Sequence, residues 1–219
     1  MKTRDRILQA SLDLFNEEGE TNVSTVDIAN AVDISPGNLY YHFKGKDALI
    51  AALYDAFEEE MRIVLTAPVD RPLRAEDNWL YFYIVFEEIY DFRFFYRNLT
   101  DLLTRYPQIN ARFQDLLERK QATCASMLTS LNDRGVLSIG KNEVEEVSTR
   151  LTMLLTYWLN FETVRHPDAS GPDIIHGGVF HILSHVAPYF LAGREVFMDV
   201  ISTLYEDQME DAAKRRARR

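Results

Sequence analysis

The sequence predicts an all-α protein, and three observations lead to that class. Apolar residues recur at three- and four-residue spacing through most of the chain, Ser, Thr and Pro mark helix starts while Gly marks helix ends, and no segment makes a persuasive strand. With 219 residues and 47% hydrophobic content, the chain can bury a sizeable core. We predict a small helical domain at residues 1–47 and a larger helical bundle at residues 48–219.

Two short helices near the N-terminus are predicted from their start signals. Ser24 and Ser35 can each cap a helix, and Pro36 suits the first position of the second helix, where its missing N–H costs nothing. The connection between them reduces to Asp33-Ile34. So short a connection makes the helices cross steeply, which is the geometry of a helix-turn-helix that places its second helix in the DNA major groove.

The exposed residues around this motif are typical of a DNA-docking surface. Asn38 can pair with an adenine edge, and Lys44 and Lys46 can meet phosphates. Taken singly, Tyr40 also fits the core, His42 a helix cap, and both lysines an ordinary solvated surface. The combination favours DNA binding, and the residues we expect at the interface are Lys2, Arg4, Thr25, Ser35, Pro36, Gly37, Asn38, Tyr40, Tyr41, His42, Lys44 and Lys46.

The first 50 or so residues resemble the DNA-binding domain of the TetR/AcrR family of bacterial transcriptional regulators. The matching segments are RDRILQASLDLFNEEG, TVDIA and SPGNLYYHFKGKDAL. Asp33 stands where the family usually has glycine in the turn, and aspartate tolerates the left-handed conformation at modest cost. The resemblance implies a tetracyclin-repressor-like fold, with a three-helix DNA-binding domain at 1–47 and a ligand-binding and dimerisation domain at 48–219.

The charge balance argues against global steering towards DNA. The formal net charge is -10, and residues 1–50 carry five Lys or Arg against eight Asp or Glu. Affinity must therefore come from locally placed cations and helix N-termini, with a dimer needed for useful binding. The basic tail, Lys214–Arg219, is expected to complement the end of the last helix, and a nucleic-acid or membrane role is the alternative.

Beyond residue 45 the chain reads as a succession of helices. A stretch containing Pro68 and Pro72, Thr66–Asp77, is the one convincing linker. The predicted helices are Lys46–Leu65, Asn78–Tyr90, Asp91–Thr104, Pro107–Asp133 closed by Gly135, Asn142–Arg165, Ile174–Leu191 and Arg194–Ala213.

The segment Trp79–Tyr96 contains ten aromatic residues in 18 positions. So many rings must pack into something large and apolar, either a dense core or a ligand chamber lined by aromatic groups with a few polar anchors. The resemblance favours the chamber, because TetR-like bodies hold an inducer pocket, and the lining implies an apolar or aromatic ligand. The candidates are Trp79, Phe82, Tyr83, Phe86, Glu87, Tyr90, Arg97, Phe113, Met127, Met153, Tyr157, Trp158 and Phe161.

Two long helices, Asn142–Arg165 and Ile174–Leu191, are apolar on more than one face. Helices of this kind pack against their own subunit and also a partner, and in the TetR family such a pair forms a four-helix dimer interface. Gly177 and Gly178 could permit close helix contact there, or could simply loosen the first helical turn. The residues we expect at the homodimer interface are Val147, Leu151, Leu155, Val179, Ile182 and Val186.

Signals for chemistry are weak, so no enzyme and no cofactor is expected. His181 and His185 have the spacing of metal ligands but no evident third ligand, and Cys124 is expected to be a small buried apolar residue. One cysteine and no signal peptide favour the cytoplasm, and the uncharged run Ile174–Gly193 is expected to be a buried interface helix rather than a membrane span.

Two functions remain. The first is a dimeric transcriptional regulator, expected to be a repressor, that an apolar or aromatic small molecule releases from a palindromic double-stranded DNA operator. In this case ligand binding would favour an arrangement in which Lys46–Leu65 moves the DNA-binding heads out of register. The alternative is a helical carrier or enzyme for apolar small molecules whose DNA-binding unit is vestigial.

Overall fold

A computed structural model describes residues 2–66 and 75–216. Within these ranges the chain is helical, with one isolated bridge between Leu137 and Phe190, and the predicted all-α class is confirmed. Most of the predicted linker and residues 217–219 of the basic tail lie outside the described residues. The helices are α1 (Thr3–Glu18), α2 (Thr25–Ala31), α3 (Pro36–His42), α4 (Lys46–Leu65), α5 (Ala75–Asp91), α6 (Arg93–Arg97), α7 (Leu99–Arg105), α8 (Pro107–Asp133), α9 (Lys141–Arg165), α10 (Gly171–Val186) and α11 (Arg194–Arg216).

The predicted helix Asp91–Thr104 is wrong, because the structure divides this segment into α6 and α7. Asn16 of α1 stabilises the preceding junction: its side-chain amide donates to the carbonyl of Asp91 at 2.7 Å, and its Oδ1 accepts from the backbone N–H of Phe94 at 3.0 Å. A second break follows at Asn98, where φ is -132° and ψ is 47°. The chain therefore turns twice where the sequence suggested one helix.

The predicted helix Ile174–Leu191 begins earlier and ends earlier than expected. Ser170 and Asp173 form a capping box that starts α10 at Gly171. After Val186 the chain forms a short 3₁₀ turn, Ala187–Tyr189. Pro188 lies in this turn and has no N–H to continue an α-helical ladder, which accounts for the early end.

The chain forms two compact units, and the first consists of Met1–Arg62 and Asp91–Gln114. Its core is aromatic: the ring of Phe57 lies 5.7 Å from that of Phe95 and 5.9 Å from that of Tyr96, and Tyr54 packs edge-on against Phe95 at 5.4 Å. These rings are buried. The C-terminal part of the aromatic segment, residues 92–96, therefore packs in the core of this unit.

A buried carboxylate ties three segments of the first unit together. Glu20, whose side chain is 4% exposed, forms an ion pair with Lys46 at 2.9 Å and a second with Arg105, and it accepts a hydrogen bond from the Tyr106 hydroxyl at 2.7 Å. Burial alone would raise the pKa of Glu20, but the hydrogen bonds from Lys46, Tyr106 and Arg105 outweigh it and hold the pKa below its usual value. The carboxylate is thus charged at neutral pH.

The second unit consists of Ile63–Tyr90 and Asp115–Arg219. Aromatic rings press on the glycines of α10: a Cβ at Gly178 would lie 2.6 Å from Cζ of Phe86, and one at Gly171 would lie 2.7 Å from Cε1 of Tyr90. Gly177 faces the Trp158 ring in the same way, at 3.0 Å. The predicted close helix contacts at Gly177 and Gly178 thus occur within the chain, where the missing side chains admit rings of α5 and α9.

Candidate nucleic-acid interface and ligand cavity

The helix-turn-helix forms as the start signals predict. Ser24 and Asp27 make a reciprocal capping box at α2, and the Ser35 side chain accepts from the N–H of Asn38 at the start of α3. Asp33 has φ of 54°, the left-handed conformation expected where the family has glycine. The N–H of Ile34 donates to the carbonyl of Ala29, and that of Asp33 to the carbonyl of Asn30, which closes α2 as a Schellman motif.

One side of α3 is available for contacts outside the chain. Leu39 packs into the core, whereas Pro36, Gly37, Asn38, Tyr40 and Tyr41 are exposed. Tyr40 is 57% exposed and Tyr41 is 77% exposed, so the alternative that Tyr40 belongs to the core is wrong. A large aromatic side chain with that much exposure is unusual in a monomer's surface helix, and it is suited to contact with a DNA backbone or base.

The cationic residues predicted to contact DNA differ in solvent exposure and in ion pairing. Lys2, Arg4 and Lys44 are exposed, and Lys44 lies over the Tyr40 ring at 4.6 Å. Lys46 instead pairs with the buried Glu20, and its side chain is 24% exposed. The structure therefore places Lys46 among the groups that hold the first unit together, and its contact with phosphate stays a prediction. Of the remaining predicted residues, Thr25 and His42 are half-buried and Ser35 is exposed.

The second unit contains an apolar cavity. Its volume is about 40 Å³, which is well below that of a site for a drug-sized ligand, so such a ligand needs side chains to move. Two predicted ligand residues, Phe82 and Met127, line it. The other lining residues are Asn78, Cys124, Leu128, Leu131, Leu151, Leu183, Val186, Phe190 and Phe197.

The remaining predicted ligand residues lie elsewhere. Within the second unit, Trp79 and Tyr83 lie on the ring of His176, at centroid distances of 6.0 and 5.1 Å, and the Tyr83 hydroxyl lies 3.4 Å from Glu87. Phe86 and Tyr90 press on α10, and the indole N–H of Trp158 donates to the carbonyl of Ile174. Arg97 and Phe113 belong to the first unit, where Arg97 donates to the carbonyl of Asn16 and Phe113 packs against Tyr96.

Three cavity residues that the sequence analysis did not predict, Cys124, Leu128 and Leu131, share a recognisable pattern with the predicted Met127. Cys124, Met127, Leu128 and Leu131 recur at helical spacing on α8, so they form one apolar stripe. Burial raises the pKa of the Cys124 thiol to about 12, so it is protonated at neutral pH and matches the expected buried apolar residue.

One face of α9 exposes large apolar side chains. Met153, Tyr157, Phe161 and Val164 are 50% to 83% exposed, and their spacing places them in one stripe along the helix. The expected dimer residues lie on other faces: Val147, Leu151, Leu155, Val179 and Ile182 are buried within the chain, and Val186 is half-buried and lines the cavity. Three of the four residues on this exposed face, Met153, Tyr157 and Phe161, are among the predicted ligand residues.

The histidine pair does not gather further metal ligands. His181 packs on the Trp158 ring at 4.6 Å. In the part of the chain that the structure describes, no group of three or more His, Cys, Asp or Glu residues is placed to hold a metal ion. In residues 2–66 and 75–216, no helix combines the length and apolar character that crossing a membrane requires, and the uncharged run Ile174–Gly193 extends beyond the end of α10 at Val186.

Comparison with known families accounts for both parts of the chain. The profile described as "Bacterial regulatory proteins, tetR family" matches residues 7–53, which include the helix-turn-helix, and the profile described as "Bacterial transcriptional repressor" matches residues 56–197. The chain belongs to the TetR family. The resemblance of its N-terminal segment to this family is therefore confirmed, and the relatives below are named as regulators rather than as enzymes.

TetR-family relatives are found among both solved structures and curated sequences. A TetR-family transcriptional regulator from Marinobacter aquaeolei VT8 is 31% identical, with a TM-score of 0.83 over 95% of this chain and 99% of that one. SmeT, in complex with triclosan, shares the fold at 19% identity, with a TM-score of 0.63 over 88% and 93% of the two chains. The HTH-type transcriptional regulator UidR of Escherichia coli K12 is 38% identical over 68 residues, which are 31% of this chain and 35% of UidR. The chain thus spans about a third of the length of this curated relative.

Proposed function

We propose that this TetR-family member is a dimeric, ligand-responsive transcriptional repressor that acts in the cytoplasm and binds a palindromic DNA operator. The observation that carries the proposal is the exposed surface of α3, where Asn38, Tyr40 and Tyr41 project beside Lys44. In a helix-turn-helix this surface enters the major groove and meets the adjacent phosphates. The division into a DNA-binding domain at 1–47 and an effector domain at 48–219 is part of this proposal.

The exposed apolar face of α9 supports the dimer in this proposal. A stripe formed by Met153, Tyr157, Phe161 and Val164 is larger and more exposed than isolated surface apolar residues, and such a patch marks an interaction surface. In a two-fold symmetric dimer the same patch meets itself, so α9 can pack on its counterpart. Two symmetric heads then match two half-sites, which offsets the small number of phosphate contacts that each acidic subunit offers.

The apolar cavity of the second unit is the proposed effector site. Its lining is almost entirely aliphatic, aromatic or sulfur-containing, with Asn78 as the polar exception. Such a lining favours a small apolar or aromatic molecule. A ligand that opens the cavity changes DNA affinity only if it binds one arrangement of the protein better than the other, so its differential affinity sets the size of the response.

A mobility-shift titration of the full chain against DNA from its own upstream region tests the proposal. We expect a complex that survives excess competitor DNA of scrambled sequence and weakens as salt rises, because the phosphate contacts release counterions. Tyr41→Ala is the variant for comparison. It removes an exposed side chain from the proposed DNA-facing surface, leaves the core intact and should weaken the complex. Equal competition by specific and scrambled DNA would contradict the proposal that this protein is a regulator.

A further inference from the structure

The turn before α3 contains the only non-glycine residue with a positive φ in residues 2–66 and 75–216. That residue is Asp33, whose φ is 54°. The left-handed conformation costs aspartate less than most residues, but more than glycine. Asp33 and Ile34 alone separate Val32, the C-cap of α2, from Ser35, the N-cap of α3. The backbone at Asp33 therefore sets the direction in which α3 leaves α2, and contacts from outside the turn must maintain it.

Arg6 of α1 provides such a contact. Its guanidinium donates a hydrogen bond of 2.7 Å to the carbonyl oxygen of Val32, which lies 26 residues further along the chain. The last carbonyls of a helix have no intrahelical donor and carry partial negative charge, so a cationic donor stabilises them. The same peptide group donates its N–H, which belongs to Asp33, to the carbonyl of Asn30. Arg6 and Asn30 thus fix both sides of the peptide plane that precedes the strained φ.

A second arginine of α1 contacts the segment after α3. The guanidinium carbon of Arg4 lies 4.9 Å from the centroid of the Phe43 ring, and Phe43 is the buried C-cap of α3. A guanidinium in this position is attracted to the electron-rich face of the ring. Helix α1 therefore contacts the chain on both sides of α3, through Arg6 before it and Arg4 after it. These contacts add to the core packing of Leu39.

We propose that Arg6 is a positioning residue for the reading of DNA bases, and that it acts by holding the turn at Asp33. This inference rests on the proposed function, since it needs α3 to enter the major groove. Contacts to base edges require placement within roughly 0.5 Å, whereas contacts to phosphates carry no sequence information directly. Release of the turn should therefore weaken base reading by Asn38 more than it weakens the general attraction to DNA.

Fluorescence anisotropy of the full chain tests this role, with its own upstream DNA and with a scrambled duplex, each over a range of salt concentrations. Arg6→Met should lower the affinity for upstream DNA about tenfold, as expected for one hydrogen bond from a charged donor, and change the affinity for scrambled DNA much less. The slope of log affinity against log salt should stay that of the wild type, because no phosphate contact is lost. A residue that contacts phosphate would instead lower the slope by about one and weaken both complexes alike.

Substitution of Asp33 provides the rescue that a positioning role predicts. Asp33→Gly removes the strain, so Arg6→Met added to Asp33→Gly should change the preference for upstream DNA by less than about twofold. Asp33→Asn is the matched control, because it removes the same charge but keeps a side chain at the left-handed position. Arg6→Met added to Asp33→Asn should still cost about tenfold. This comparison between the two Asp33 backgrounds remains valid if Arg6→Met alone folds poorly.

A reduced salt slope for Arg6→Met would overturn the assignment. So would an unchanged preference for upstream DNA, or an equal cost of Arg6→Met in the Asp33→Gly and Asp33→Asn backgrounds. Thermal unfolding of each variant identifies a purely structural role, in which the melting temperature falls while the folded protein keeps its preference, and that outcome also overturns the assignment. A wild type that binds both duplexes equally would instead contradict the proposed function.

Discussion

The Tyr106 hydroxyl donates a 2.7 Å hydrogen bond to the buried carboxylate of Glu20. This contact joins the residue after α7 to the short turn after α1, and Lys46 at the start of α4 binds the same carboxylate. The base of the helix-turn-helix is thereby connected to a segment, 91–114, that the sequence assigned to the second domain. The compact unit extends beyond the predicted boundary at residue 47, and the boundary of the functional domain stays a prediction.

Glu20→Gln should destabilise the protein at neutral pH by about 2 kcal/mol, because hydrogen bonds to a charged group are lost and Lys46 loses its ion pair, whereas Arg105 keeps its ion pair with Asp101. The partial exposure of Lys46 and Arg105 limits the loss. Since the folded-state pKa of Glu20 lies below its usual 4.5, the carboxylate stabilises the fold above that pH and loses its contribution as the pH falls through the folded value. Denaturant unfolding from pH 7 to pH 3 measures the difference.

Tyr106→Phe is the companion variant. It should lower the free energy of unfolding by less, about 1 kcal/mol, because the Glu20 carboxylate keeps both ion pairs. A Glu20→Gln protein that is as stable as the wild type at pH 7 would contradict the role of this cluster. So would a stability difference that persists unchanged at pH 3.

Lys120→Met should change how the stability of the protein depends on pH, because an apolar side chain of similar length replaces a buried ionisable one. The unfolded chain keeps Lys120 protonated up to its usual pKa of 10.5, whereas burial lowers the folded-state pKa to about 7. Between these values the unfolded state binds more protons, so the wild type gains stability as the pH rises. Thermal unfolding should therefore show the wild type gaining stability relative to Lys120→Met from pH 7 to pH 10. An unchanged difference in stability between the two proteins would contradict the burial of this lysine.

Tyr41→Ala and Asn38→Ala should affect DNA binding in different ways. Tyr41 is expected to meet the backbone, so its loss should weaken binding to all sequences alike. Asn38 is expected to read an adenine, so its loss should relax the preference at one base pair, worth about 1–3 kcal/mol. Binding to a set of single-base operator variants separates the two effects. Uniform weakening by both substitutions would contradict the base-reading role of Asn38.

Tyr157→Glu combined with Phe161→Glu should dissociate the dimer, because two charges would enter the centre of an apolar interface. Loss of two central anchors is expected to raise the dimer dissociation constant at least 30-fold, or about 2 kcal/mol. Sedimentation velocity over a range of concentrations measures the shift. Ser126→Glu adds a charge at an exposed position of α8 and should leave the dimer intact. A variant with both α9 substitutions that remains dimeric would exclude the α9 stripe as the interface.

Local signals predicted much of the fold. The bounds of α4 and α8 were predicted as they are observed, because lysine and proline at their starts and apolar spacing along them are properties of the segment itself. The break between α5 and α6 was not predictable in this way. It involves Asn16, which lies 75 residues from its partner Asp91 in the sequence.

The sequence could not decide which apolar face of α9 lies inside the chain. Leu151 and Leu155 form one stripe, and Tyr157 and Phe161 form another. Hydrophobic spacing alone predicts burial equally well for either stripe. Their assignment depends on where α5, α8 and α10 pack. The burial of Lys120 was not predicted either, because it stands among charged and polar residues in ERKQ, a composition typical of a solvated surface.

Release of a preformed DNA complex by a cavity ligand tests the central claim most directly. Fluorescence anisotropy would follow the full chain on labelled upstream DNA during titration with apolar compounds that calorimetry shows to bind. The proposed repressor should leave the DNA as the cavity fills, whereas Cys124→Phe, which places a ring in the cavity, should bind DNA but respond at much higher ligand concentration. A wild-type complex that stays intact at saturating ligand, or equal release of the wild type and Cys124→Phe, would contradict the claim.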